Sequence, residues 1–430
     1  MDINLFKNAD DISRRNFVGK LAAGCLGVST LPLMTSSANA QSYVPLRKDA
    51  KAKAVIYLYM SGGMSHIDSF DVKPDNAKVR GEASALKTNA DGVRVSKFFP
   101  NMAKQMKHVV AVNSVTTTQG AHDQGSYFMH TSYQPRGTIV HPYFGSWVNR
   151  LAGNVHGTLP ANVMIRPGGT LGAGWMPGKH AALPVDNPKE GVKYSTRHRT
   201  VKEDQFDRRI AVLDKMNREF QQTYKQRSVR EYSDIYQDAV KLMSSKDLDA
   251  FDISKESEAH KKAYGDSNFG QGCLLARRLV QKGVRWVEVN LGGWDHHDNL
   301  YGRFNDNSST LDQAMSTLLD DLQKQGMLDS TLVVLATEFG RTPFINVNNG
   351  RDHFPRAFTC LLAGGGVKGG QTYGKTDKDG VGIVENKVTV PDFNATIAHA
   401  MGLPLDLKLH SASGRPFQVA DKGKPISSIF

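Results

Sequence analysis

The sequence predicts an α/β domain: a mostly parallel sheet with helices on both faces. Three observations carry this prediction. Short apolar runs bounded by Gly, Asn or Ser recur along the chain, amphipathic segments separate them, and clusters of Asp, Glu and His stand directly at their ends. The runs are AVIYLYM (54–60), VVAVNSV (109–115), VRWVEVNL (284–291), TLVVLAT (331–337) and FTCLLAGG (358–365). Apolarity this continuous in segments this short marks parallel strands buried on both faces.

Residues 1–40 are read as a segment outside the fold. Paired Arg14 and Arg15 in SRRNFVGK precede the mildly apolar LAAGCLGVSTLPLM and then Ala38-Asn39-Ala40, a small-x-small cleavage pattern. This order describes a twin-arginine export signal, with a mature chain starting near Gln41. A lipoprotein signal through Leu21-Ala-Ala-Gly-Cys25 is the alternative. The expected location is periplasmic or secreted, and the expected first partner is the twin-arginine translocation machinery, whose cargo crosses folded. Without residues 1–40 the formal charge falls from +12 to +11. Such a basic protein suits anionic polymers or esters as partners, although solubility alone also explains the charge. No run in the mature chain reaches the ~18 apolar residues of a membrane span. Basic residues are spread without aromatic alternation, which argues against nucleic acid. The mature chain keeps only Cys273 and Cys360, both in apolar surroundings, so no disulfide scaffold is expected.

Between the strands, GQGCLLARRLVQK (270–282) and residues 311–325 have helical spacing and each precedes a strand. Residues 186–266 differ, with 17 Lys or Arg and 16 Asp or Glu. Ile210, Leu213, Phe220 and Tyr224, then Tyr232, Tyr236, Val240 and Met243, mark one apolar face on each of two helices. A helical insertion is predicted here, either capping the site or decorating the surface.

Four clusters at strand ends could carry chemistry: SGGMSHIDSFD (61–71), GGWDHHDN (292–299), TEFGRTP (337–343) and GRDHFP (350–355). In open α/β sheets, chemistry sits beyond the carboxyl ends of the strands. Carboxylate oxygen combined with imidazole nitrogen suits zinc, manganese or iron better than calcium. From an extended segment Asp295 and His297 point one way and His296 the other. Arg341 could clamp an anionic substrate, or instead pair with Glu338 or Asp352.

An Asp-x-His cluster, then Thr337-Glu338-Phe339-Gly340 after a strand, then His353 before Pro355 and another strand resemble the alkaline phosphatase and sulfatase superfamily. So does VTVPDFNATIAHAMGLP (388–404). More closely, the twin-arginine signal, GGMSHIDSFDVKP, GGWDHHDN, EFGRTP and GRDHFP resemble an exported bacterial family known only as a domain of unknown function, fifteen-oh-one, over essentially all of residues 52–420. The superfamily resemblance implies an alkaline phosphatase-like fold and two adjacent metals, zinc or manganese. It assigns the first metal to Asp295, His297 and His353. The second is less secure: Ser61-Gly62 stands where an Asp is expected, Glu338 can still be a ligand, Phe339 cannot, and His66, Asp68 or Asp352 would have to substitute. The resemblance places the nucleophile at His122, where an imidazole could also serve as base or ligand. Ser126 and Thr116 to Thr118 are the alternatives if the register shifts. No cysteine stands in residues 116–135, which excludes a formylglycine sulfatase. Two functions follow as expectations: a metal-dependent hydrolase of phosphate, sulfate or related esters, or a non-catalytic binding or assembly protein with at most a structural metal.

Overall fold

A computed structural model describes residues 45–430 except 169–171, 196, 197, 199, 224–234 and 236. The expected export segment lies outside the described residues, as do Tyr224, Tyr232 and Tyr236 of the insertion.

Nine strands form one sheet: β1 (Ala54–Tyr59), β2 (Val109–Thr116), β3 (Asn162–Ile165), β4 (Leu183–Val185), β5 (Trp286–Asn290), β6 (Thr331–Ala336), β7 (Phe358–Gly364), β8 (Gln371–Tyr373) and β9 (Val388–Thr389). Their order is β8-β2-β7-β6-β1-β5-β3-β4, with β9 also pairing β2. Every pairing is parallel except those of β7, which runs antiparallel to both β2 and β6. The expectation that FTCLLAGG is a parallel strand is therefore corrected. The physical reason is the connection: residues 337–357 contain no helix to carry the chain back across the sheet. The chain stays at the carboxyl edge and re-enters the sheet from there.

Alternation along the strands builds two cores. Ile56 and Leu58 of β1 face one side, where they join α4 (Asn268–Gln281) and α5 (Leu300–Lys324). Val55, Tyr57 and Tyr59 face the other, with α1 (His122–Thr131), α2 (Phe144–Ala152) and α6 (Val390–Ala400). In α5, Leu311, Met315, Leu318 and Leu322 form a stripe of fully buried side chains. Burying each contributes about 1.5–3 kcal/mol. The start of α6 is held by a capping box in which Thr389 accepts from the Asp392 backbone N–H and the Asp392 carboxylate accepts from that of Thr389. Cys273 and Cys360 are free and buried on opposite faces of the sheet.

The insertion contains α3 (Glu203–Thr223), on which no described side chain is buried. Ile210 and Leu213 are half-buried, but Val212, Met216 and Phe220 are exposed. The predicted amphipathic face is thus only partly covered. The insertion is anchored instead by Phe251 and Ile253 in the α4–α5 core. Asp247, Glu256 and His260 add polar contacts to Thr158, Arg278 and Asp321. Thr158, Arg278 and Asp321 lie on segments that lead into the amino ends of β3, β5 and β6. Among the described residues, no helix is long and apolar enough to cross a membrane.

Candidate metal centre

β1, β2, β5 and β6 all run in one direction, and the loops leaving their carboxyl ends meet on one edge. From these loops come Gly62, His122, Asp295 and Glu338. His353 arrives on a two-residue ladder, His353–Phe354 against Gly340–Arg341, immediately before β7.

The geometry brings Asp295, His297 and His353 together. Asp295 Oδ1 lies 3.0 Å from His297 Nε2 and 3.3 Å from His353 Nε2, and the two Nε2 atoms are 3.0 Å apart. His122 is the fourth member, its Nε2 3.3 Å from Asp295 Oδ2. His122, Asp295 and His353 have donor atoms close enough together to hold one metal ion. His296 turns the other way into the core, beside Trp294 and Phe304, as strand-like alternation requires.

The far side of each ring fixes its tautomer. His122 Nδ1 meets Glu338 Oε1 at 2.8 Å, His297 Nδ1 meets Asp352 Oδ1 at 2.9 Å, and His353 Nδ1 meets the Gly120 carbonyl at 2.8 Å. All three oxygens accept, so in the neutral form of each ring Nδ1 carries the proton and Nε2 turns its lone pair toward Asp295. In that form three nitrogen lone pairs and a carboxylate converge on one small space. Lone pairs facing each other at 3.0 Å repel unless a cation or proton lies among them. Imidazoles oriented by oxygen acceptors on their distal nitrogens are the usual surroundings of a metal, and the nitrogen-rich donor set with one oxygen fits zinc.

Electrostatics support the same arrangement. Burial opposes ionisation of Asp295, but the hydrogen-bonded guanidinium of Arg341 holds its carboxyl down at about 2. The bond to Glu338 raises His122 above its ordinary value, whereas burial lowers His353.

The remaining predicted residues surround this group without joining it. Both oxygens of Glu338 are occupied, Oε1 by the Gly62 backbone N–H and His122, and Oε2 by the Tyr59 and Thr337 hydroxyls. Glu338 orients His122, as Asp352 orients His297. Asp68 is fully buried in a two-point pair with Arg351, and His66 is a buried ring whose Nε2 meets the Gly380 carbonyl at 3.0 Å. Arg341, read as a substrate clamp or as the partner of Glu338 or Asp352, is buried and donates to the Gly62, Gly63 and Arg351 carbonyls and to Asp295. The hydroxyls offered as alternative nucleophiles also have other partners. Thr116 donates to the Pro355 carbonyl, and Ser126 Oγ lies 3.5 Å from His130 Nδ1.

Sequence reasoning missed Tyr59, the Gly120 carbonyl and the need for glycine at 62. Gly62 has φ +117°, and a Cβ there would lie 2.6 Å from the Asp295 backbone nitrogen. The Gly62-Gly63 pair directly after a strand was the available signal of a close backbone approach.

Similar folds occur among solved structures. A Vibrio parahaemolyticus protein of the alkaline phosphatase superfamily is 9% identical, with TM-score 0.42, covering 96% of this chain and 78% of that one. The PsFucS1 sulfatase from Pseudoalteromonas sp. is 12% identical, with TM-score 0.41, covering 86% and 72%. The C-terminal periplasmic domain of Escherichia coli EcEptC, solved in complex with Zn, is 8% identical, with TM-score 0.38, covering 88% and 90%. Likeness at these levels fixes no residue's role. No curated protein matches this sequence. Residues 52–430 match the family described as "Protein of unknown function (DUF1501)", and the chain belongs to that family.

Proposed function

We propose that this protein is an exported, metal-dependent hydrolase of anionic phosphate or sulfate esters. The observation that carries this reading is the convergence of three imidazole Nε2 atoms on the Asp295 carboxylate, each ring tied off behind by an oxygen acceptor. Asp295, His122, His297 and His353 would hold a zinc or manganese ion. When bound, that ion would lower the pKa of a coordinated water to ~7 and polarise the ester oxygen. The protein's own groups do the rest. Glu338, Asp352 and the Gly120 carbonyl keep the rings aimed, and the Phe339 ring, 4.6 Å from that of His353 and 5.0 Å from that of His122, covers one flank. His122 opens α1, whose first turn carries Asp123 beside it. With an imidazole facing Asp295 at that helix start and no hydroxyl in the cluster, direct attack by water is favoured over a covalent intermediate.

Protein purified without chelator is expected to carry about one equivalent of zinc or manganese. Chelation should abolish ester turnover and re-addition should restore it. A metal-free folded protein, or turnover that survives chelation, would overturn the reading. Stoichiometric metal with no turnover of any ester would favour the non-catalytic binding role.

Export rests on Arg14, Arg15 and the Ala38-Asn39-Ala40 pattern. Replacing both arginines by lysine should leave the protein in the cytoplasm by cell fractionation. Unchanged appearance in the periplasm would exclude the twin-arginine route.

A further inference from the structure

The charges around the candidate centre select among anionic esters. Three carboxylates, Asp295, Glu338 and Asp352, contact the three imidazoles. Among the described residues, Arg341 is the one arginine or lysine bonded to any of these six side chains. It is no mobile anion receptor. Its side chain is 1% exposed, Nε and Nη1 donate to the Gly63 and Arg351 carbonyls at 2.9 and 3.0 Å, and Nη2 serves Gly62 and Asp295. A planar fork held at four points cannot swing out to a substrate. Arg341 is a fixed countercharge for Asp295.

Among the described residues, most positions the resemblance offers a second dication are already engaged, and Asp352 is held through Oδ1 by His297 and Asn346. Both oxygens of Glu338 are engaged, position 62 has no side chain and its carbonyl accepts from Arg341, and Phe339 fills the adjoining flank. With one dication held by Asp295 and the imidazoles, three negative charges meet three positive ones, leaving the centre formally neutral. The neighbouring pair Arg303 with Asp298 cancels as well.

We propose that this centre takes esters bearing a single negative charge, a phosphodiester or a sulfate monoester, in preference to the dianion of a phosphate monoester. The inference rests on the metal-hydrolase reading. A dianion entering a neutral, partly buried site gives up strong hydration for its second charge and meets no further cation to offset the loss, whereas a monoanion gives up far less. Hydrolysis replaces the bond from phosphorus or sulfur to the leaving oxygen with one to a water oxygen. One water proton ends on the leaving alcohol, and the other on the product acid, which releases it to solvent.

The test uses the full chain loaded with zinc and three probes: bis(p-nitrophenyl) phosphate, p-nitrophenyl sulfate and p-nitrophenyl phosphate. It is run at about pH 8, where the last of these carries two charges. At least one singly charged probe should exceed the dianion by about tenfold or more in kcat/KM, and comparing the first two separates phosphodiester from sulfate. A binding arm independent of turnover titrates cobalt-loaded protein with dimethyl phosphate and with inorganic phosphate, following the visible spectrum. The monoanion should bind more tightly. Asp352→Asn, at an exposed position where the amide oxygen can still accept from His297, gives the centre one extra positive charge. It should shift the preference toward the dianion by about tenfold. A dianion preference in the unaltered protein, or a ratio unmoved by Asp352→Asn, overturns this inference while leaving the hydrolase reading intact. Failure to bind cobalt or zinc overturns both.

Discussion

Asp295→Asn is expected to yield a folded protein that no longer retains metal, with affinity reduced by well over about 100-fold. The estimate follows from the site's construction. Losing an outer partner of a metal ligand already costs about 10–100-fold, and Asp295 is the one carboxylate that all three imidazole Nε2 atoms approach. Asparagine has nearly the same shape and keeps an oxygen to accept from Arg341, so the fold should survive, as circular dichroism would check. Glu338→Gln should cost less, within the 10–100-fold range, because only the orientation of His122 is loosened. Retention depends on pH with a definite sign. Metal binding requires neutral imidazoles, so affinity falls as pH falls. His122, raised by its bond to Glu338, takes up a proton before His353, which burial lowers. Stoichiometric metal in purified Asp295→Asn would remove the basis for assigning this cluster to an ion.

The sequence made the frame of this site legible because the strands around it are buried on both faces and therefore read as continuous apolar runs. β1, β2, β5, β6 and β7 were all visible for this reason. β3 and β4 were not, since Asn162–Ile165 is four residues long and Leu183–Val185 is three with Pro184 at its centre. The direction of β7 also escaped, because apolarity records burial and not chain direction. Within the site, spacing showed that Asp295 and His297 share a side, and the superfamily resemblance joined His353 to them. Spacing could not show which acid touches an ion and which only orients a ring. Glu338 and Asp352 have the residue types of ligands, but their hydrogen bonds to His122 and His297 are set by the meeting of separate loops. The same limit applies to Arg341. A basic residue beside acids reads equally well as a substrate clamp or a countercharge until its carbonyl partners are known.

Asp68 shows the same ambiguity, and its replacement should give the largest loss of stability. Asp68 and Arg351 are both fully buried, joined at 2.7 and 3.1 Å, and the Ser65 and Tyr301 hydroxyls complete the carboxylate's bonds. Arg351 also donates to the carbonyls of Val79, Thr342 and Pro343, so one guanidinium ties together three segments beneath the candidate centre. Asp68→Ala leaves this cation buried without its counter-ion, a defect that costs about 3–5 kcal/mol. Chemical denaturation should show it. Removing both charges, as in Asp68→Ala with Arg351→Met, should recover much of the loss, because the penalty comes from the uncompensated charge and not from the absence of the pair itself. A metal-ligand role for Asp68 predicts a different pattern: metal lost from the single variant, little change in the stability of metal-free protein, and no rescue by the second substitution. The ion-pair reading requires the folded fraction of Asp68→Ala to keep its metal, and metal analysis alongside the denaturation curves separates the two.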